Sequence, residues 1–254
     1  YTDVGAAGPL GNLLIKLAYW TGSAWEVEVV AGDGIHTVAG SAVNLKLAIL
    51  STGLPIIFWT TRSTTGLKMA ARSVPLTSSS TATWTTGNPD TGLAGQATSA
   101  LEVAVNPLDQ VGIAWGVTET AATALIRFAY CSSSCGNVAN YVTMNGTGEA
   151  VETTVPATAI NTQIGMAWCK ADSSTYYPAV AGVMNGANYR YAVCLNSLGN
   201  CRTNAGWTKS SALSAAAAAA GQAKLIIDPT VVGDTPRVFT HTAAGAAFQG
   251  YQIN

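Results

Sequence analysis

Chemistry needs acids, bases, nucleophiles or ligands at workable spacing, and this chain of 254 residues offers few of them. Of its 13 acidic residues, Asp33, Asp109, Asp172, Asp228 and Asp234 fall in turns. A glycoside hydrolase needs two carboxylates about 5 to 10 Å apart across the scissile bond. An Asp beside Gly is also ordinary turn chemistry, because its short side chain bonds its own backbone, and that is the reading adopted for these five. The segment "DPTVVGD" (Asp228 to Asp234) spaces carboxylates as a calcium turn would, without a convincing ligand set. His36 follows "GDG" and His241 ends an apolar run, so the only two histidines form no constellation. Gly-x-Ser-x-Gly, His-Glu-x-x-His and P-loop patterns are absent. Neither catalysis, nor a cofactor, nor a metal is expected.

The five cysteines are more informative. Cys131 and Cys135 follow one apolar strand, and Cys194 and Cys201 follow another that reads alike. Two chance pairs would not share a place in a repeat, and a hairpin turn brings such positions within disulfide reach. Disulfides Cys131–Cys135 and Cys194–Cys201 are the favoured reading over reduced thiols. Zinc sites usually pair short knuckles with histidine, which these lack. Cys169 is left over, as a buried thiol.

The repeat itself is "IKLAYW" (Ile15 to Trp20), "LKMAAR" (Leu67 to Arg72), "IRFAYC" (Ile126 to Cys131) and "YRYAVC" (Tyr189 to Cys194), spaced roughly every 50 to 65 residues. Each copy is a hydrophobe, a cation, a hydrophobe, then alanine. Before it come two apolar runs, such as "LKLAIL" and "PIIFW", or "LEVAV" and "VGIAW". In the third unit the same reading takes "TTVPATAI" and "IGMAW", which puts Trp168 where Trp59 and Trp115 stand. A weaker run with one aromatic follows, carrying Trp25, Trp84, Tyr141 and Trp207. These runs are short, bounded by turn residues and rich in β-formers, which argues strand over helix.

The unit is thus four antiparallel strands, repeated. The expected fold is all-β, a β-propeller of four-stranded antiparallel blades in one domain over 1–254. Near-continuous apolar runs mean both faces of a blade are buried, and the alanine lets neighbouring sheets approach. Lys16, Lys68, Arg127 and Arg190 then pack their stems between blades while the charge finds a partner at a blade end. The sharper alternative is a ring of cations that captures anionic ligands. The chain opens in mid-blade and closes on "AFQGYQI" (Ala247 to Ile253), a fifth copy with Gln249 in the cation's place. Five blades are expected, with four blades plus a spare terminal strand as the alternative. "SAAAAAAG" (Ser214 to Gly221), 73–83 and 173–188 read as loops.

Bulk composition points outside the cell. Charged residues make up only 10% of the chain and the formal charge is -1, which gives no footprint for nucleic acid or an anionic membrane. No apolar run approaches the roughly 18 to 20 residues of a membrane span. Starting at Tyr1, the chain reads as processed or partial. The phrase with its following "TGSAWEVEVV" resembles the β-propellers of secreted and cell-surface bacterial proteins, which often carry "LKYA...G..W" units. That resemblance covers almost the whole chain and implies lectins, adhesins or accessory domains. The sialidase-type Ser-x-Asp-x-Gly-x-Thr-Trp repeat and a WD signature are missing, and no functional residue carries over.

An extracellular binding or adhesion propeller is therefore expected, with a glycan or surface protein as partner. Low charge and abundant Ser, Thr, Asn and aromatics suit neutral glycans. Trp20, Tyr176 and Tyr177 lie in less regular places than the repeating tryptophans and are the ligand candidates. A structural subunit that self-assembles through the C-terminal strand is the alternative. Asn145-Gly-Thr147 is a sequon for glycosylation.

Overall fold

The computed structural model describes residues 2–4, 13–31, 44–60, 67–77, 82–90, 96–118, 123–145, 149–156, 164–184, 188–195, 197–211, 214–215, 222–226, 232, 237–241 and 248–252. Among them the chain is all-β, with three short 3-10 turns and no α-helix. Every strand pairing between named strands is antiparallel, in five separate sheets that follow one another along the chain.

Sheet I holds β1 (Thr2–Val4), β2 (Leu13–Trp20) and β3 (Trp25–Ala31). Sheet II holds β4 (Leu45–Ile49), β5 (Pro55–Thr60), β6 (Leu67–Arg72) and β7 (Trp84–Gly87). In sheet III, β8 (Gln96–Val105), β9 (Val111–Thr118) and β10 (Thr123–Cys131) are followed by a fourth strand in two pieces. These are β11 (Tyr141–Thr143) and β12 (Glu152–Pro156), paired with opposite ends of β10. Sheet IV repeats that plan with β13 (Ile164–Lys170), β14 (Tyr176–Met184) and β15 (Asn188–Val193). Its split fourth strand is β16 (Thr208–Lys209) and β17 (Ser214–Ala215), both on β15. Sheet V holds β18 (Gln222–Ile226), β19 (Arg237–His241) and β20 (Phe248–Gln252).

Sheets II to V stack in chain order, with the first strand of one against the first of the next: β4 on β8, β8 on β13, β13 on β18; sheet I meets sheet II through β3 and β7. Four apolar clusters fill the gaps. One joins sheets I and II through Ile15, Leu17, Tyr19, Ile57, Trp59 and Ala70. Others lie between II and III, III and IV, and IV and V. This is why β5, "PIIFWT", is buried at every position: both faces of a stacked sheet leave water, so no polar alternation survives.

Three sequence readings need correction in the third unit. The run 153–160 does not open sheet IV; its described part, in β12, closes sheet III on β10. "IGMAW" is the first strand of sheet IV rather than the second, so Trp168 is not the counterpart of Trp59 and Trp115. The supposed loop 173–188 contains β14, the true second strand. The turn joining them is Ala171 to Thr175, where Asp172 accepts hydrogen bonds from the Ser174 and Thr175 amides. Ser214 and Ala215, taken as part of a loop, form β17, while 216–221 lie outside the described residues. So do Asp33, His36, Asp228, Asp234 and residues 146–148, which hold the end of the sequon.

The C-terminal strand pairs in its own sheet: β20 lies on β19, with His241 opposite Phe248 and Phe239 opposite Gly250. Gly250, not Gln249, therefore sits across from the second-strand aromatic.

Candidate functional site

The repeated phrase defines one face of each sheet. In β6, β10 and β15 the cation, the alanine and the residue two further on point toward the preceding sheet, while the intervening hydrophobes point toward the next. Ala70, Ala129 and Ala192 are each 0% exposed there. Arg127 is buried with them, donating to the Glu149 carbonyl oxygen at 2.7 Å and reaching Asp90 at 3.5 Å. Burial pulls its pKa below the usual arginine value, against the opposing pull of Asp90, and a guanidinium stays charged even so. Lys16, Lys68 and Arg190 are half-buried. Lys68, Arg127 and Arg190 sit on the third strand of their sheets, and Lys16 on the middle strand of the three in sheet I.

The last position of the phrase carries a clamp. Opposite it, across the strand pair, stands the aromatic of the last strand of the sheet: Arg72 faces Trp84, Cys131 faces Tyr141, and Trp20 faces Trp25. Sheets III and IV close this corner with the disulfides Cys131–Cys135 and Cys194–Cys201, each with Cα atoms 5.6 Å apart. The aromatic then locks the second half-cystine: the Tyr141 hydroxyl donates to Cys135 O, and the Trp207 indole donates to Cys201 O, both at 3.0 Å. Gly206 packs so tightly beneath that a Cβ would run into the Asn200 carbonyl, which Thr203 N–H already holds. Gly206→Ala is expected to cost about 1 to 3 kcal/mol by overpacking, read as a lower urea midpoint.

In sheet II an arginine takes the place of the cysteine. Arg72 donates to Val74 O at 3.0 Å, tying down the same connection that the disulfides tie elsewhere. It also grips Glu28 of sheet I with two bonds, Nε at 3.0 Å and Nη2 at 2.7 Å. Glu28 accepts further from the Tyr19 hydroxyl and the Trp84 indole. The Arg72 bonds, aided by those two donors, hold the Glu28 pKa below the usual carboxylate range. The sequence reading passed over Arg72, although its place in the repeat, where later copies have cysteine, marked it. Other ions tie the later sheets: Lys46 to Glu102 at 2.8 Å between II and III, and Lys209 to Glu152 at 3.4 Å between III and IV.

Sheet I breaks the pattern on its outer face. Lys16, Ala18 and Trp20 of β2 stand across from Val29, Val27 and Trp25 of β3. Here Ala18 is exposed, and Trp20, Trp25, Val27 and Val29 are exposed by 55%, 68%, 53% and 56%. At the matching place in the later sheets, Tyr141 and Trp207 are only 8% and 5% exposed and Trp84 is half-buried. The two indoles meet edge to face, centroids 5.9 Å apart and planes at 60°. Between them runs the turn Thr21 to Ala24, closed by Thr21 N–H to Ala24 O at 2.9 Å. Gly22 takes φ +98°, a value that costs glycine nothing. The result is two inclined aromatic faces beside the exposed hydroxyls of Thr21 and Ser23.

The other candidates are placed differently. Tyr176 is 6% exposed, inside the core between sheets III and IV, so it cannot serve as a ligand platform. Tyr177 points to the other side of sheet IV, half-buried against the next cluster. Cys169, expected to be buried, is half-buried and lies across from Tyr177. Asp109, at φ +59°, accepts from the Ser51 amide and hydroxyl, both at 2.6 Å, and thereby joins the turns of sheets II and III. Asp172 caps its own turn, and those bonds lower its pKa. Among the described residues no group of three His, Cys, Asp or Glu converges on a point that could hold a metal. No protein-family model matches the chain, and neither does any curated protein sequence.

Proposed function

We propose that the chain is an extracellular or cell-surface binding protein whose five sheets are the blades of a β-propeller. In this reading a glycan or a surface partner is recognised at the Trp20–Trp25 end of the first blade. The carrying observation is that this aromatic pair is open to solvent while its counterparts Tyr141 and Trp207 in sheets III and IV are buried and Trp84 in sheet II is half-buried. Inclined indole faces beside hydroxyls match the chemistry of a neutral sugar, which offers apolar C–H faces and polar edges. Stacking of sheets II to V through their first strands supports the propeller, since those strands would line its axis. Two disulfides fit an oxidising compartment, and among the described residues no helix is long and apolar enough to cross a membrane.

The test is a glycan array followed by titration of the best hit by calorimetry. Trp25→Ala is expected to weaken binding at least tenfold, about 1.4 kcal/mol, with the unfolding midpoint little changed because the side chain is exposed. A hit whose affinity Trp25→Ala leaves unaltered removes the site, and a blank array removes the glycan. A second reading, a subunit of an extracellular filament or surface assembly, is favoured by the apolar character of the rest of the same sheet face. Assembly through the terminal strand is less favoured, because β20 already pairs with β19.

A further inference from the structure

In sheets II and III the repeated cation has a fixed companion on the second strand. Lys68 lies directly across from Trp59, and Arg127 directly across from Trp115. The side chains of such a pair share one sheet face, with Cβ atoms about 5 Å apart. Both tryptophans are 0% exposed, and neither indole Nε1 has a hydrogen-bond partner. The indoles of Trp84, Trp168 and Trp207 all donate, to the Glu28 carboxylate, Ala104 O and Cys201 O. A buried donor left unmet is rare in a folded chain and marks a place where an acceptor belongs. Here two stand at the same register of the repeat.

The cations beside them differ. Arg127 meets the buried carboxylate of Asp90, which stands just past the last strand of sheet II and reaches into sheet III. Lys68 is half-buried, and among the described residues it makes no ion pair or hydrogen bond. Arg190 has an unmet Nε as well, but Gly182 stands across from it, so no indole accompanies it. Lys68 lies about 13 Å along β6 from Arg72, where the Arg72–Glu28 pair joins sheets I and II. One end of the gap between these sheets thus holds a cation with its carboxylate. The other end holds a cation and an N–H that can only donate.

We propose that Lys68 and Trp59 form a binding site for a carboxylate brought by a ligand. An ionised carboxylate is acceptor-only and has lone pairs for both donors, and the ammonium makes its bond charge-assisted. Asp90 shows which group the repeat places against this cation one sheet later. The ligand is a small free carboxylate or the uronic acid of an acidic sugar, which share that chemistry. The site lies on the covered face of sheet II and does not depend on the Trp20–Trp25 reading.

The experiment is a nuclear magnetic resonance titration of the isotope-labelled full chain. The probes are sodium acetate, sodium glucuronate and the neutral methyl ester of glucuronic acid, with chloride holding the ionic strength constant. The signal followed is the Trp59 indole N–H, identified by its loss in Trp59→Phe. The expected result is a saturable shift with both carboxylates and none with the ester. Binding should be at least about tenfold weaker in Lys68→Met. Methionine keeps much of the stem's packing and strands no partner charge, so the urea midpoint of Lys68→Met should stay level or rise. Glucuronate binding about tenfold tighter than acetate, or more, assigns the site to an acidic sugar; a smaller difference assigns it to the carboxylate alone. A Trp59 signal that neither carboxylate moves overturns the proposal, as does an ester that shifts it like glucuronate, or Lys68→Met that binds like the wild type. A lowered urea midpoint in Lys68→Met shows that the chain supplies the anion itself, which overturns it too. Each of these outcomes leaves the glycan reading at Trp20 and Trp25 where it stood.

Discussion

Replacing Arg72 by methionine is expected to lower the free energy of unfolding by about 3 kcal/mol, the lower end of what breaking a buried ion pair costs. The guanidinium side chain is 1% exposed and the Glu28 carboxylate 23%. Methionine fills much of the same volume, so packing loss is small. What remains is a carboxylate stripped of its two charged bonds, and the Val74 carbonyl without its donor. Tyr19 and Trp84 still donate to Glu28, which keeps the loss from the upper end of the range. Because the pair joins sheet I to sheet II, hydrogen exchange should quicken in β2 and β3 more than in sheet IV.

Glu28 adds a pH signature to this network. Its pKa is lower in the folded chain than in the unfolded one, so the folded state holds the proton less tightly. The stabilisation is fully present above the unfolded carboxylate pKa and is lost as pH falls through the folded value. Urea midpoints measured from neutral to acid pH should therefore fall in the wild type, and fall less steeply in Glu28→Gln. A loss under about 1 kcal/mol for Arg72→Met, or equal pH slopes in the two proteins, would show the network to be a surface pair of little weight.

Reduction of the two disulfides should cost about 2 kcal/mol each. The closed loops are short, with sequence separations of 4 and 7, and chain-entropy reasoning gives small loops the smaller gains. Together the two are comparable with the lower end of a domain's net stability. Calorimetry with and without reductant reads the sum; Cys131→Ser with Cys135→Ser, and Cys194→Ser with Cys201→Ser, divide it. The local consequence is specific. Without the covalent corner, the 3-10 turns Val138–Asn140 and Asn200–Arg202 keep only their aromatic and turn hydrogen bonds, so their amides should exchange faster. The corner of sheet II, closed by Arg72, should not respond to reductant. An unchanged melting temperature on reduction would assign the cysteines some role other than clamping.

Local patterns were readable from the residues alone. The recurring phrase, the place of both cysteine pairs within it, and the following aromatics Trp25, Trp84, Tyr141 and Trp207 all follow from strand-local spacing, and the structure keeps Trp25, Trp84 and Tyr141 in register with the end of the phrase. The same logic failed at "IGMAW". In a stack buried on both faces every strand is a plain apolar run, so nothing in the run itself says whether it is first or second in its sheet. Only pairing decides that: Ile164–Lys170 takes its partner from Tyr176–Met184, and the earlier run of β12 goes to β10. The Arg72–Glu28 pair was equally hidden, because its partners are 44 residues apart in the chain.

What the chain determines about itself is the repeated sheet face, written four times with a cation and an alanine. Tertiary structure alone decides which copies are core and which is surface. Ala70, Ala129 and Ala192 are buried and Ala18 is exposed, although the phrase around each is the same. Exposure belongs to the neighbour a face receives, and a sequence motif carries no record of its neighbour.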